Sequence, residues 1–522
     1  MTRSYLRFAA WLACALLVTA LDNGLNAKPA MGWNSWNAFG PTINEEIIKD
    51  TADRLVALGL RDAGYVYLNL DDGWSDLKRT ADGRLTANKT AFPSGIPALA
   101  KYVHSKGLKF GIYADAGNMT CAGFPGSLGF EEVDAQTFAD WGVDYLKYDN
   151  CYAAQQQWVV DRYTAMRDAL NATGRPILYS LCNWGVAEPW LWASGVGNSW
   201  RTTEDIEPTW DNVVKLLEYN VGLSQFAGPS RGWNDLDMLF VGNSRLGEYH
   251  PFGPFYQEQR AHFALWALFK SPLFIGHDLR NLNSSFVDLL KKKEIVAMNQ
   301  DELGVAGDLI WQQGTRKIFA TALAGGSRGV VLWNLQTTQS QYPLSNITVF
   351  WEQIGLGGSQ RATVRDVFSE RDLGVFSGSF SAAVAFHDVA VLRVTPVEGP
   401  LDDSWRPWHA QPLYAPQPAN LAVPSAAAWI AGYTGPSSSG SGPGSKQQPD
   451  IRKASFSPPA SSGPPSFAVV LSVLASLAAL GVVGYFVVLH MRMRGWQQLD
   501  ENEGARKMSE MSQTRRYSPP GS

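Results

Sequence analysis

Between about Pro29 and Val305, short apolar runs alternate with longer amphipathic ones. Tyr65–Leu70, Leu108–Tyr113, Val143–Tyr148, Pro176–Leu181 and Pro272–Ile275 are aliphatic, aromatic and β-branched, and they predict buried strands. The segments Asn44–Leu58, Pro97–Ser105, Asp134–Trp141 and Gln257–Phe269 predict helices. The first of these carries a capping signal at Asn44 and an apolar stripe of Ile47, Ile48, Leu55 and Leu58. Repeated βα units over this length predict an α/β fold, a parallel sheet closed as a (β/α)8 TIM barrel over residues 21–305. An open doubly wound sheet would gather its polar residues at one switch point. Here they follow most of the strands: Asp71 and Asp72, Asp115, Asp149, Asn183, Arg201 with Asp205, and Asp235 with Asp237.

After residue 305 the pattern shortens. Alternating runs such as Lys317–Leu323, Gly329–Leu335 and Ala390–Val394, separated by Gly, Ser and Asn, predict an antiparallel β-sandwich over 306–398. Residues 399–466 are rich in Pro, Ser, Gly and Ala and predict a disordered stalk. Phe467–Leu489 is an apolar run of about 23 residues, long enough for a transmembrane helix. Arg492, Arg494, Arg506 and Lys507 follow it, which assigns 490–522 to a cytosolic tail. At the other end, Arg3 and Arg7 precede an apolar run to Ala20, and Val18-Thr-Ala20 fits signal peptidase, so residues 1–20 read as a signal peptide. The expectation is a single-pass type I membrane protein of the secretory pathway, its globular part luminal or extracellular. Plasma membrane, vacuole and lysosome are equally open.

Composition narrows the chemistry. Of 522 residues, 45% are hydrophobic and 18% charged, as in globular proteins. The net charge of −4 offers no basic field for nucleic acid. The 7 His show no metal-ligand spacing, and no phosphate-binding or dinucleotide loop is present, so no metal and no cofactor are expected. The 20 Trp supply core and also faces for sugar rings. Of the 4 Cys, Cys14 lies in the signal. Cys121 and Cys151 follow the third and fourth strands in order, so their loops are neighbours. That predicts a disulfide between them and a free Cys182. Asn88, Asn118, Asn171, Asn283 and Asn346 begin N-x-S/T sequons and are expected glycosylation sites.

The apolar run that ends in Lys147-Tyr-Asp149 puts a carboxylate at the mouth of the sheet, with Lys147 on the same side of the strand. Asp149 is therefore read as a nucleophile; as a helix cap it would need no such partner. Buried carboxylates without metal ligands point to acid/base work or glycoside hydrolysis. Retaining hydrolysis needs a second carboxyl roughly 5 Å away. Glu204, Asp205, Asp235 and Asp237 all qualify on this ground.

Met31-Gly-Trp-Asn-Ser-Trp36, Leu70-Asp-Asp72, Gly111-Ile-Tyr-Ala-Asp-Ala-Gly117, Cys121-Ala-Gly-Phe-Pro-Gly-Ser127, Asp134-Ala-Gln-Thr-Phe138, Lys147-Tyr-Asp-Asn-Cys151 and Trp233-Asn-Asp-Leu-Asp-Met238 occur in this order. Together they resemble the glycoside hydrolase family 27 α-galactosidases (melibiases), from about Leu21 to Pro396. The resemblance implies retaining hydrolysis of terminal α-D-galactosides through a covalent galactosyl-enzyme. It implies Asp149 as nucleophile and Asp205, in Trp200-Arg-Thr-Thr-Glu-Asp-Ile206, as acid/base. It further implies that Trp36 stacks on galactose and that Asp71 and Asp72 accept from the 4- and 6-hydroxyls. Lys147 would reach the 3- and 4-hydroxyls and Arg201 the 2-hydroxyl, while Tyr113 lines the pocket and Asp237 supports it. Cys182 and Trp184 lie in the loop that reads the 2-substituent, where the bulk of Trp184 favours galactose over N-acetylgalactosamine. The expected partners are an α-galactoside, a membrane through the C-terminal helix, and no nucleic acid; a homodimer is compatible.

Four positions depart from that pattern. Gly73 stands at a common Cys, Glu204 at a small residue, and Leu236 at a common Pro, and the loop Cys182-Asn-Trp-Gly185 differs from the animal lysosomal form. The membrane anchor is unusual too. The competing assignments are an α-N-acetylgalactosaminidase on the same fold and a galactose-binding surface receptor without catalysis.

Overall fold

The computed structural model of the chain describes residues 23–153, 159–242, 256–336, 344–398 and 402–409. The signal segment 1–20, the apolar run 467–489 and the tail 490–522 lie outside them. Among the described residues no helix is long and apolar enough to cross a membrane.

Eight parallel strands form the first sheet: β1 (Met31–Asn34), β2 (Tyr67–Asn69), β3 (Lys109–Asp115), β4 (Tyr145–Asp149), β5 (Leu178–Leu181), β6 (Ser199–Arg201), β7 (Trp233–Asp235) and β8 (Leu273–Ile275). Their order is β7-β6-β5-β4-β3-β2-β1-β8. Leu239, just past β7, pairs in parallel with Ile275 of β8 and closes the ring. The five strands legible in the sequence form at the expected places. The other three, β1, β6 and β7, are only three or four residues long and carry Trp beside Asn, Ser, Arg or Asp, so they give no apolar run.

Helices cover the outside, and their ends follow local chemistry. Glu45–Ala57 starts where the Asn44 side chain accepts the Ile47 N–H at 2.9 Å. Glu131–Asp140 begins one turn before the expected Asp134, with Glu131, Glu132 and Asp134 all in its first turn, where the helix dipole favours acids. Tyr256–Leu268 is buried on nearly every side, because the barrel covers one flank and the second domain the other.

That second domain is an antiparallel sandwich. It comprises β9 (Asp308–Gln313), β10 (Arg316–Ala322), β11 (Arg328–Asn334), β12 (Leu344–Phe350), β13 (Arg361–Asp366), β14 (Arg371–Ser377), β15 (Ser379–Ala385) and β16 (Val389–Pro396). Six strands in the order β14-β13-β16-β11-β10-β9 face the pair β12-β15. The central strands are apolar on both faces for a reason. Ile318, Val330, Leu332, Leu392 and Val394 point into the sandwich core. Their alternating neighbours Phe319, Val331, Trp333, Val389 and Val391 join the core of the barrel. Polar clasps fix the contact: Asp308 accepts the Gly222 N–H at 2.9 Å, Lys317 pairs with Glu218, and His387 meets Glu258 at 2.7 Å.

The expected start of the stalk needs correction. Residues 402–409 pack on the sandwich: Trp405 is buried, the Arg328 guanidinium lies 5.1 Å from its ring, and Asp403 accepts the Gly326 N–H. Pro- and Ser-rich composition concealed one aromatic anchor, and its burial outweighs the local lack of periodicity.

Candidate active site

The carboxyl ends of the barrel strands converge on one polar mouth. Asp149 ends β4 and is 5% exposed. Its Oδ1 accepts the Asn150 N–H at 3.0 Å. Its pKa is raised to about 7: burial pushes it up, the Lys147 ammonium pulls it down, and Asp205 and Asp71 add to the rise. Lys147 Nζ donates to Asp71 Oδ2 at 2.8 Å, and Asn34 Nδ2 donates to the same oxygen at 2.8 Å. Burial opposes the charge on Lys147, but Asp71, Cys182, Asp149 and Asp205 together hold its pKa well above the ordinary value. Tyr113 is the register partner of Lys147, whose Nζ lies 5.3 Å from the Tyr113 ring.

The other wall comes from β5, β6 and β7. Arg201 ends β6 and donates from Nη2 to Asp205 Oδ1 at 3.1 Å and to the Glu204 carbonyl at 2.8 Å; the same nitrogen lies 2.8 Å from Asp237 Oδ2. Its Nη1 is 3.7 Å from the free Cys182 thiol. The Asp205 side chain is 68% exposed, in contrast to the buried Asp149. Asp237 accepts the Ile206 N–H at 2.8 Å, so it supports the segment that carries Asp205. A small cavity continues below this mouth into the barrel. Asn34, Asn69, Lys147, Ser180, Cys182, Arg201, Asp235 and Asp237 are among its lining.

Loops complete the rim. Cys121 and Cys151 form the expected disulfide, with Cα atoms 5.1 Å apart, tying the β3 loop to the residue two past Asp149. Gly117 sits under this bridge, where a Cβ would fall 1.9 Å from the Cys151 carbonyl oxygen. Asp115, the register partner of Asp149, accepts the Gly117 and Cys151 N–H groups at 2.7 and 3.0 Å. Trp36 is half-buried against an interior cluster that includes Tyr67, Tyr145 and Phe274. Trp184 is half-buried at φ 55°.

The chain was compared with known proteins. Residues 28–301 match the family model for alpha galactosidase A, and residues 313–394 match that for the alpha galactosidase C-terminal beta sandwich domain. Alpha-galactosidase 3 of Arabidopsis thaliana is 49% identical over 380 residues, 72% of this chain and 84% of that one. The chain belongs to the α-galactosidase family. Alpha-galactosidase I from Mortierella vinacea superposes with a TM-score of 0.66 at 37% identity, over 72% of this chain and 98% of that one. The Saccharomyces cerevisiae α-galactosidase with raffinose gives 0.64 at 32% identity, over 72% and 99%. As a family member the chain is a glycoside hydrolase.

Within this α-galactosidase fold, Asp71, Tyr113, Lys147, Asp149, Cys182, Arg201, Asp205 and Asp237 gather at one mouth. Asp72 is buried next to Asp71 in sequence; its Oδ1 accepts the Gly73 N–H and its Oδ2 the Ala122 N–H, each at 2.8 Å, so it also anchors the disulfide loop, and each oxygen keeps a further lone pair. Glu204 turns away from the mouth, its carboxylate 3.6 Å from Lys215 Nζ. Two other departures have local causes. Gly73 has φ 96°, and a Cβ there would lie 2.7 Å from the Pro41 carbonyl oxygen, so this backbone has no room for Cys. The Leu236 N–H donates to Ser271 Oγ at 3.1 Å, a bond Pro cannot make. Asn34, Asn69 and Asp115 were not chosen as site residues from sequence. Asn34 lies inside the Met31–Trp36 motif and Asp115 ends a strand as Asp149 does, so a search for polar residues closing each strand finds both.

Proposed function

We propose that this α-galactosidase removes terminal non-reducing α-D-galactosyl residues by double displacement. The observation that carries the reading is a buried carboxyl, Asp149, in the field of an exposed one, Asp205, whose Oδ1 Arg201 Nη2 holds at 3.1 Å. Asp149, whose ionised form Lys147 favours, attacks C1 as the glycosidic C–O bond breaks, and the Asp205 proton passes to the departing oxygen. Asp205 then takes a proton from water, whose oxygen attacks C1 and frees Asp149. Asp71, Asp72 and Lys147 take the sugar hydroxyls, Arg201 the 2-hydroxyl, and Trp36 the apolar face of the ring. A site with buried polar groups set for an axial hydroxyl rejects a sugar that lacks it. Trp184 beside Cys182 favours a hydroxyl over an acetamido group at C2.

The test is the first-formed anomer. Proton NMR of nitrophenyl α-galactoside hydrolysis should show α-galactose appearing first. Initial β-galactose would replace the double displacement with a single one, and a preference for the N-acetylgalactosaminide would move the substrate.

The same proposal takes the chain to the secretory pathway, with cleavage near Ala20 and the run Phe467–Leu489 as anchor. Asn118, Asn171, Asn283 and Asn346 are exposed, as glycan attachment requires, whereas Asn88 is half-buried and accepts the Thr90 and Ala91 N–H groups. Detergent-phase partitioning of the full chain, lost on truncation at 466, is the check.

A further inference from the structure

We propose that Asp235 is a positioning residue that sets Asp205 against the leaving-group oxygen, acting through the turn at Asp237. The inference rests on the double-displacement reading above. Asp235 ends β7, is buried, and is the register partner of Arg201 on β6. Its Oδ1 accepts the Asp237 N–H at 2.9 Å. Asp237 needs that support, because its φ of 80° is a left-handed conformation that residues with a Cβ rarely adopt. Two further bonds hold the same turn: Asp237 Oδ1 accepts the Met238 N–H at 2.7 Å, and the Asp237 carbonyl accepts Trp266 Nε1–H at 2.8 Å.

The turn aims the remaining oxygen. Asp237 Oδ2 lies 2.8 Å from Arg201 Nη2 and accepts the Ile206 N–H at 2.8 Å. Ile206 directly follows Asp205, and Arg201 Nη2 also meets Asp205 Oδ1 at 3.1 Å. The acid is thus gripped through its side chain and through the next peptide, and both grips run to Asp237. An exposed carboxyl has little packing to fix it, so its direction depends on such bonds.

A misplaced acid has a specific signature. Proton donation matters most when the leaving group is basic, so losing it penalises a sugar or alkyl leaving group far more than dinitrophenolate. Asp235→Ala should lower kcat/KM for a galactosyl disaccharide by at least about tenfold more than for dinitrophenyl α-galactoside. Asp235→Asn keeps an acceptor for the Asp237 N–H and should retain the wild-type ratio of the two substrates. Asp205→Ala calibrates the scale. If that variant shows no leaving-group-selective loss, the acid/base assignment itself falls. If it does, and folded Asp235→Ala loses both substrates equally or neither, only the present inference falls. Should Asp235→Ala fail to fold, Asp235→Asn decides alone: the wild-type ratio supports the acceptor role, and a shifted ratio overturns it.

Discussion

Lys147 Nζ stands 2.8 Å from Asp71 Oδ2, on the strand that two residues later presents Asp149. One ammonium is thereby both fixed by a carboxylate and able to stabilise a second. Replacing it with a neutral side chain should raise the Asp149 pKa, because the ammonium that opposes its burial disappears. A nucleophile must be ionised, so the protonated fraction at a given acidic pH grows. In Lys147→Met the acidic limb of kcat/KM should move to higher pH, while Lys147→Arg keeps it nearer the wild-type position. A profile from pH 4 to 8 measures this; an unmoved limb in the Met variant would detach Lys147 from Asp149.

Asp149 should also destabilise the fold it serves. Its folded pKa of about 7 lies above the ordinary carboxylate value, so the folded chain holds this proton more tightly than the unfolded chain. Stability from this group is therefore full below about pH 4 and is lost as pH climbs toward 7. Asp149→Asn escapes that loss. It should abolish turnover yet melt higher than wild type at pH 7.5, by the equivalent of about 1–3 kcal/mol, with the gap closing by pH 4. Calorimetry at the two pH values decides it.

The disulfide closes a loop with a sequence separation of 30. Constraining a loop of that size is worth about 3.6 kcal/mol. The double variant Cys121→Ser with Cys151→Ser should lower Tm accordingly. It should also lower kcat, since Cys151 lies two residues past Asp149. A melting point equal to wild type would show that Asp72 and Asp115 hold these loops alone.

Glu204 adjoins Asp205 in sequence but faces Lys215. An exposed pair at 3.6 Å is worth little, at most about 1 kcal/mol. Glu204→Ala should therefore leave the pH profile of kcat/KM in place. A basic limb displaced by half a unit or more would mean that the carboxylate turns into the mouth when substrate binds.

Side-chain pattern carried far in this chain because its signals are local. The apolar run of β4 followed by Asp149, the Asn44 cap and the alternation in β10 and β11 each depend on a few neighbouring residues. Strand order then put the Cys121 and Cys151 loops side by side. Glu204, Asp205, Asp235 and Asp237 could not be sorted in that way, because all four are acids near strand ends and chain spacing alone does not give their directions. Their direction is a tertiary outcome. The left-handed turn at Asp237 aims its carboxylate at Arg201, Lys215 draws Glu204 outward, and Arg201 meets Asp205 at the mouth. Asp72 likewise accepts the Ala122 N–H, because a buried backbone donor left unpaired is costly. The barrel, the sandwich and the strand ends that bear acids are legible in the chain, since hydrophobic period and strand length are written residue by residue. Only the folded barrel decided which acids share one cavity and which serve as struts, since that depends on burial and on donors distant in sequence.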